Sequence, residues 1–126
     1  MQALGYRQDI GHQGEDLAVQ ELQRRGCAIL ARNYRTRFGE IDIVAEEGDE
    51  VIFVEVKARR SAAYGEAGES VPYWKQRRIA AMALDYLAWA DRLNDPCRFD
   101  VVAIDGIGTN HVDVRVIEDA FPAHGT

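Results

Sequence analysis

Apolar residues recur at helical spacing in two parts of the chain. The first part predicts a helix over about residues 12–25, closed by a glycine at position 26. Its apolar stripe contains Glu15, Ala18, Val19 and Leu22. The second part predicts a longer helix over about residues 72–93, because a proline suits the first turn of a helix. Trp74 and Trp89 lie in this second segment, and we expect both to be packing groups.

Short segments rich in β-branched residues lie between and after the helices. Residues 27–34, 38–46 and 50–58 follow one another through short turns and predict three antiparallel strands. Residues 98–105 and 111–117 predict two more strands after the second helix. The third strand, second helix and fourth strand form one crossover, so these two strands should be parallel. The order predicts an α/β fold, in which helices pack on a mixed sheet with an extra C-terminal edge strand.

Alternation along the second and third strands brings ionised side chains together, because successive side chains on a strand point to opposite faces. On the second strand Glu40 and Asp42 share a face, and on the third strand Glu55 and Lys57 share a face. A tight hairpin joins the strands, so we expect Asp42 and Glu55 to lie near each other, with Lys57 beyond them. The opposite face carries apolar residues: Ile41, Ile43, Ala45, Ile52, Val54, Val56 and Ala58.

The proximity of Asp42 and Glu55 has a chemical consequence. Two partly covered carboxylates repel each other, which raises the pKa of one of them, and a divalent cation removes the conflict. Carboxylate oxygens suit Mg²⁺ or Mn²⁺ rather than zinc. Such a metal can activate a water molecule, and a nearby lysine can stabilise a charged transition state. The residue types therefore fit phosphodiester hydrolysis. The alternative for Glu55 and Lys57 is a plain charge pair on a solvent-facing strand.

Several other charged residues could extend this site. Glu15 lies on an apolar stripe, where a carboxylate is unusual, although a role at the helix N-terminus is the alternative. The first turns of the second helix carry three cations, Lys75, Arg77 and Arg78. Positive charge opposes the helix dipole there, whereas a phosphate would be favoured. Arg59 and Arg60 follow the third strand and could contact a nucleic-acid backbone. A solvated surface is the alternative for all these cations.

Composition narrows the class of protein. The chain has 126 residues and is 47% hydrophobic, which fits a single domain over residues 1–126. The net charge is −6, but residues 32–78 hold nine basic and nine acidic side chains, so the excess acidity lies in the flanks. Without a long apolar run or a signal-peptide core, a cytoplasmic location is expected. Cys27 and Cys97 are expected to be free thiols rather than a disulfide.

Two segments resemble a known group of nucleases. Residues 39–42 (GEID) and 53–57 (FVEVK) look like the motif of the PD-(D/E)xK nuclease superfamily. Within it the chain is most similar to the YraN-like bacterial family, which is allied to archaeal Holliday junction resolvases. Residues 14–15, 75–78 and 97–101 extend the resemblance over nearly the whole chain. The resemblance implies a restriction-endonuclease-like core of one helix, three strands, a second helix and a strand.

The resemblance also implies a metal site. The implied ligands of Mg²⁺ or Mn²⁺ are Asp42, Glu55, the backbone carbonyl of Val56 and Glu15. Lys57 would be the catalytic lysine, and Gln76 matches a helix position that often faces the site. The proline of the superfamily's name is absent before Asp42. The implied function is metal-dependent hydrolysis of DNA, including branched or repair-intermediate DNA.

The acidic net charge leaves two other functions open, because resolvases are usually basic. One is a non-catalytic nucleic-acid-binding module with the nuclease fold, which would use Arg77 and Arg78. The other is a protein-interaction module whose acidic flanks contact a basic partner. An edge strand at either side of the sheet could also pair two copies of the chain as a homodimer.

Overall fold

The structure, a computed structural model, describes residues 2–60 and 70–122, with side chains described from residue 10. Its helices and strands are α1 (Gln2–Arg24), β1 (Ala28–Thr36), β2 (Gly39–Glu47), β3 (Glu50–Arg59), α2 (Tyr73–Trp89), β4 (Cys97–Asp105) and β5 (Asp113–Phe121). Within these residues the strands form one sheet in the order β1-β2-β3-β4-β5. Residues 61–69 lie outside the described residues.

The pairing of the strands confirms the predicted mixed sheet. β1, β2 and β3 pair antiparallel, as their short connections predict. β3 and β4 pair in parallel across the α2 crossover, and β5 pairs antiparallel with β4 at the edge. The element order is consistent with a restriction-endonuclease-like core that carries one extra edge strand.

An apolar core lies on each face of the sheet. On one face α2 packs on Phe53 and Phe99, whose ring centroids are 5.8 Å apart. On the other face Leu22 of α1 packs on residues such as Ile52 and Ile104. Because both faces of β3 and β4 are covered, these parallel strands contain continuous apolar runs rather than alternating ones.

Three predicted boundaries are wrong. α1 begins at Gln2 rather than near residue 12. α2 ends at Trp89 rather than near residue 93, because Asp91 adopts a left-handed conformation with φ 58° and stops the helix. β5 continues to Phe121, beyond the predicted end at residue 117, because the Phe121 ring stacks on Phe99 at 5.0 Å.

α1 approaches β3 very closely at Gly14. A Cβ atom built on Gly14 would lie 2.5 Å from the Cβ atom of Ala58, well inside van der Waals contact. Any other residue would push the helix away from the sheet. The next residue along the helix is Glu15, so this contact sets how closely the Glu15 backbone approaches the strands.

The state of the two cysteines agrees with the prediction of free thiols. Cys27 is buried and Cys97 is half-buried, and both are free thiols. Burial raises the pKa of both thiols.

Among the described residues, neither helix combines the length and the apolar character that crossing a bilayer requires.

Candidate functional site

β2 and β3 stop pairing just before Asp42. Counted from the hairpin turn, the last paired residues of the two strands are Ile43 and Val54. Beyond them a carboxylate oxygen of Asp42 accepts the backbone N–H of Val56 at 2.8 Å. This side chain therefore satisfies a backbone donor that has lost its strand partner. Asp42 lies in the gap where the two strands separate.

The separation corrects one predicted face assignment. Regular alternation places Ile41 and Ile43 on the same face, but Ile41 packs in the core under α2 while Ile43 packs under α1. The neighbouring strand, β1, is irregular at the same level. Regular alternation places Arg32 and Tyr34 on one face, but Arg32 bonds to α1 whereas Tyr34 packs under α2. Between them Asn33 has φ 52°, a left-handed conformation that interrupts the alternation.

Glu15 reaches this gap from α1. Its carboxylate Oε2 accepts the side-chain amide of Asn33 at 3.0 Å. Its Oε1 is buried, lies 3.6 Å from the Arg32 guanidinium and has no hydrogen-bond partner among the described residues. A buried carboxylate oxygen without a donor is energetically costly, and a bound cation would remove that cost.

Asn33 is a site residue that the sequence analysis missed. Its amide lies within 3.5 Å of Glu40 as well as bonding to Glu15, so it links β2 to α1. Glu40 in turn forms an ion pair with Arg35 at 2.9 Å. The available signal was weak: asparagine tolerates the left-handed conformation, but nothing in the strand pattern marks position 33.

The electrostatics of Asp42 reflect its burial and the charges of two carboxylates in its neighbourhood. Burial raises the pKa of Asp42 to about 7, and the negative charges of Glu55 and Glu15 contribute to the rise. The hydrogen bond from the Val56 N–H and the positive charge of Lys75 act in the opposite direction. The proximity of Asp42 and Glu55 thus has the effect on pKa that strand alternation predicts.

Two lysines stand beside these carboxylates. Lys75, in the first turn of α2, forms an ion pair with Glu55. The Lys57 ammonium donates a hydrogen bond to the Ser70 carbonyl at 2.6 Å. Burial lowers the pKa of Lys57, and the nearby charge of Lys75 lowers it further, while Glu55 raises it. A cleft of about 330 Å³ opens here, lined by Glu55, Val56, Lys57, Ala58, Arg59, Lys75, Ala103 and Asp105.

Two other predicted site residues, Gln76 and Arg59, bond to groups other than Asp42, Glu55 and Glu15. The Gln76 amide donates to the Val71 carbonyl at 2.8 Å, in the segment that precedes α2. Arg59 bonds to Asp105 at 2.5 Å, and Arg115 bonds to the same carboxylate at 2.9 Å. The guanidinium of Arg59 therefore lies at the Asp105 end of the cleft.

The remaining predicted nucleic-acid contacts, Arg60, Arg77 and Arg78, are exposed. The Arg78 guanidinium lies over the Trp74 ring, 5.0 Å from its centroid. Trp74 itself is 59% exposed, so the prediction that it is a packing group is wrong. Position 74 precedes the first buried residue of α2, Ile79, and does not share its face.

The donor set fits a hard divalent cation, although the side chains do not converge as placed. Carboxylate and carbonyl oxygens are what Mg²⁺ and Mn²⁺ prefer, and the unpartnered oxygen of Glu15 is available. Within residues 2–60 and 70–122, no three His, Cys, Asp or Glu side chains are grouped closely enough to hold a metal. Glu55 would have to turn from Lys75 to join Asp42.

Comparison with known proteins identifies similar chains over most of the length. Residues 14–104 match the family described as "Uncharacterised protein family UPF0102". A UPF0102 protein of Symbiobacterium thermophilum is 45% identical over 114 residues, which cover 90% of this chain and 97% of the relative. One of Rhodococcus opacus is 48% identical over 112 residues, covering 89% and 95%. One of Pseudomonas syringae is 42% identical over 119 residues, covering 91% and 94%.

Proposed function

The chain belongs to the UPF0102 family, and we propose that it is a divalent-metal-dependent nuclease that hydrolyses phosphodiester bonds in DNA. The family match confirms the YraN-like resemblance of the sequence motifs. The observation that carries the proposal is the half-buried Asp42, which the Val56 N–H holds between β2 and β3 and whose pKa is raised to about 7 by burial and by the charges of Glu55 and Glu15. Such a group of like charges destabilises a fold unless a cation balances it.

Each carboxylate has a defined part in the proposed site. Asp42, Glu55, Glu15 and the Val56 carbonyl would hold Mg²⁺ or Mn²⁺. When bound, the metal would neutralise charge on the phosphoryl group and lower the pKa of a water molecule. The Val56 N–H keeps the Asp42 carboxylate in the gap between β2 and β3. Asn33 holds one oxygen of Glu15; the other lies 3.6 Å from the Arg32 guanidinium without a hydrogen bond, and it would bind the metal.

The lysines would act on the phosphate. Lys57 lines the cleft next to Glu55, where its ammonium can donate to a phosphoryl oxygen as negative charge develops. Lys75 holds Glu55 in the metal-free protein and, once released, adds a second positive charge at the helix N-terminus, where an anion is favoured. Both lysines line one cleft with two of the proposed ligands, Glu55 and Val56, which is the arrangement that charge stabilisation at a phosphoryl group would use.

A cleavage assay tests the proposal. Labelled duplex, single-stranded and branched DNA are incubated with wild type, Asp42→Asn or Lys57→Ala in Mg²⁺ or Mn²⁺. We expect each variant to lose at least about a hundredfold in cleavage rate, since several kcal/mol of charge stabilisation are removed. Asp113→Asn is the control, because this exposed carboxylate lies outside the cleft. A wild type that is inert on every substrate, or that equals Asp42→Asn, contradicts the proposal.

Metal binding is tested separately by thermal unfolding. At a concentration of about 100 times Kd, Mg²⁺ or Mn²⁺ should stabilise the wild type by about 2.7 kcal/mol. Asp42→Asn should show no such shift, while Asp113→Asn should match the wild type. An unchanged melting temperature with both metals at saturating concentrations contradicts the metal site, whatever the cleavage assay gives.

A non-catalytic nucleic-acid-binding module is the second candidate function. The observation that favours it is the ion pair between Lys75 and Glu55, which neutralises one of the proposed ligands. This candidate predicts salt-dependent DNA binding that is the same in wild type and Asp42→Asn, without cleavage in either. Binding together with metal-dependent cleavage excludes it.

A further inference from the structure

Exposed aromatic rings and arginines lie together where the β1–β2 turn meets the start of α2. We call this surface the stacking patch, and its residues are Arg37, Phe38, Tyr73, Trp74, Arg77 and Arg78. The exposed fractions are 42% for Phe38, 60% for Tyr73 and 59% for Trp74. Large rings this exposed are uncommon on a protein surface unless they contact a partner.

Arginine side chains organise the stacking patch. The Arg37 guanidinium lies 4.9 Å from the centroid of the Phe38 ring, and the Arg78 guanidinium lies 5.0 Å from that of Trp74. Arg78 also joins the two halves of the patch, since its Cδ lies 4.0 Å from the Cβ position of Gly39 in the β1–β2 turn. The rings and the positive charges are therefore parts of one surface.

We propose that the stacking patch binds unpaired nucleotides, with bases stacked on the exposed rings and phosphates near the arginines. Bases of every kind have a π-face, so rings interleaved with cations bind single strands with little sequence preference. Residues 37–39 and 73–78 contain four cations and no acid, in a chain whose net charge is −6. This local positive charge suits a polyphosphate backbone.

The stacking patch lies next to the cleft. Trp74 is in the patch, and the following residue, Lys75, reaches into the cleft to pair with Glu55. A strand stacked on Trp74 would thus have its neighbouring phosphate beside Lys75. The inference rests on the proposed function, and it adds a substrate class: DNA that contains a single-stranded region, such as a flap, fork or gap.

Tryptophan fluorescence gives a direct test, because the chain has two tryptophans at opposite ends of α2. Trp89→Phe leaves Trp74 as the reporter in the patch, and Trp74→Phe leaves Trp89. Trp89 is 73% exposed, but its ring lies against Tyr34 and Tyr86, with centroids 6.0 Å and 5.8 Å away. A single-stranded oligothymidylate of about 15 nucleotides is titrated without metal, so that cleavage does not interfere. We expect quenching in Trp89→Phe and none in Trp74→Phe.

Binding affinity gives the second measurement. Trp74→Ala should weaken oligothymidylate binding about tenfold, as expected for the loss of one stacked base, and Trp74→Phe should restore most of it. Trp89→Ala, which removes an even more exposed ring at the other end of the same helix, should bind as the wild type does. A duplex of the same length should bind more weakly than the single strand, and equal binding of the two would contradict stacking on unpaired bases.

The outcomes separate this inference from the proposed function. Equal quenching of both tryptophans, no quenching of either, or equal affinity of Trp74→Ala and wild type would each overturn the stacking patch. None of these results affects cleavage of a duplex or its loss in Asp42→Asn. Conversely, a protein that cleaves no DNA but shows selective quenching of Trp74 would support the stacking patch and contradict the nuclease proposal.

Discussion

Asp42 and Asp100 are both covered by the fold, but the chain compensates their charges very differently. Asp100 on β4 accepts bonds from the Arg98 guanidinium at 3.0 Å and 3.2 Å and from the Asp119 backbone N–H at 2.9 Å. Asp42 receives one backbone N–H and stands beside two further carboxylates. Burial raises the pKa of both groups, but only Asp100 has an arginine against it. The chain therefore balances the charge of Asp100 with an arginine, whereas Asp42 has no arginine against it and is where the proposed cation would bind.

The largest effect expected from this difference is on stability. Asp100→Ala should lower the free energy of unfolding by about 3 kcal/mol or more, because it removes the buried partner of the Arg98 ion pair and leaves the Asp119 backbone N–H without its acceptor, although Arg98 keeps its ion pair with Glu50. Asp42→Asn should cost little or stabilise the metal-free protein, since it removes a repelled charge. Urea unfolding at neutral pH measures both values. Equal losses for the two variants would show that Asp42 is a structural residue like Asp100.

The second effect is on the pH dependence of stability. The folded pKa of Asp42, about 7, lies above its ordinary value of 3.8, so the folded chain holds a proton that the unfolded chain has released. This contribution is fully present below about pH 4 and is lost as the pH rises through about 7. Relative to Asp42→Asn, the wild type should lose roughly 2–4 kcal/mol over that range.

Urea unfolding of both proteins at several pH values, without divalent metal, measures this difference. A constant difference between wild type and Asp42→Asn contradicts the raised pKa. Saturating Mg²⁺ should abolish the dependence, because a bound cation keeps the carboxylate ionised.

The smallest expected effect concerns Lys75. Its ammonium pairs with Glu55 and supplies positive charge beside a carboxylate that the proposed metal would bind. Lys75→Met releases Glu55 from its ion pair and should tighten Mg²⁺ binding by about two- to fivefold, the size of a partly exposed ion pair. Calorimetric titration measures the affinity, and Arg77→Met, at an exposed cation two residues further along α2, is the matched control. Weaker binding in Lys75→Met than in Arg77→Met would contradict this role for Lys75.

The sequence predicts most of the fold because hydrophobic spacing and short connections leave few topologies. The hairpin also predicts that Asp42 and Glu55 approach each other, and the charge of Glu55 is, after burial, one of the causes that raise the pKa of Asp42. Pattern alone could not predict the gap between β2 and β3, because alternation assumes that the strands stay paired. Asn33 and the unpartnered oxygen of Glu15 depend on that gap. Likewise, the composition of α2 does not show whether a tryptophan ring faces the sheet or, as Trp74 does, faces solvent.

The close contact between Gly14 and Ala58 makes the position of α1 adjustable by a single methyl group. Gly14→Ala would force the helix outward by the overlap of two Cβ atoms, and Glu15 would move with it. No charge would change, so an altered metal preference would reflect only the width of the site. Conversely, Ala58→Gly would create space on the strand side of the same contact. Each substitution would alter the width of the proposed metal site without altering its charge, so a changed preference between the smaller Mg²⁺ and the larger Ca²⁺ would test that site by steric means alone.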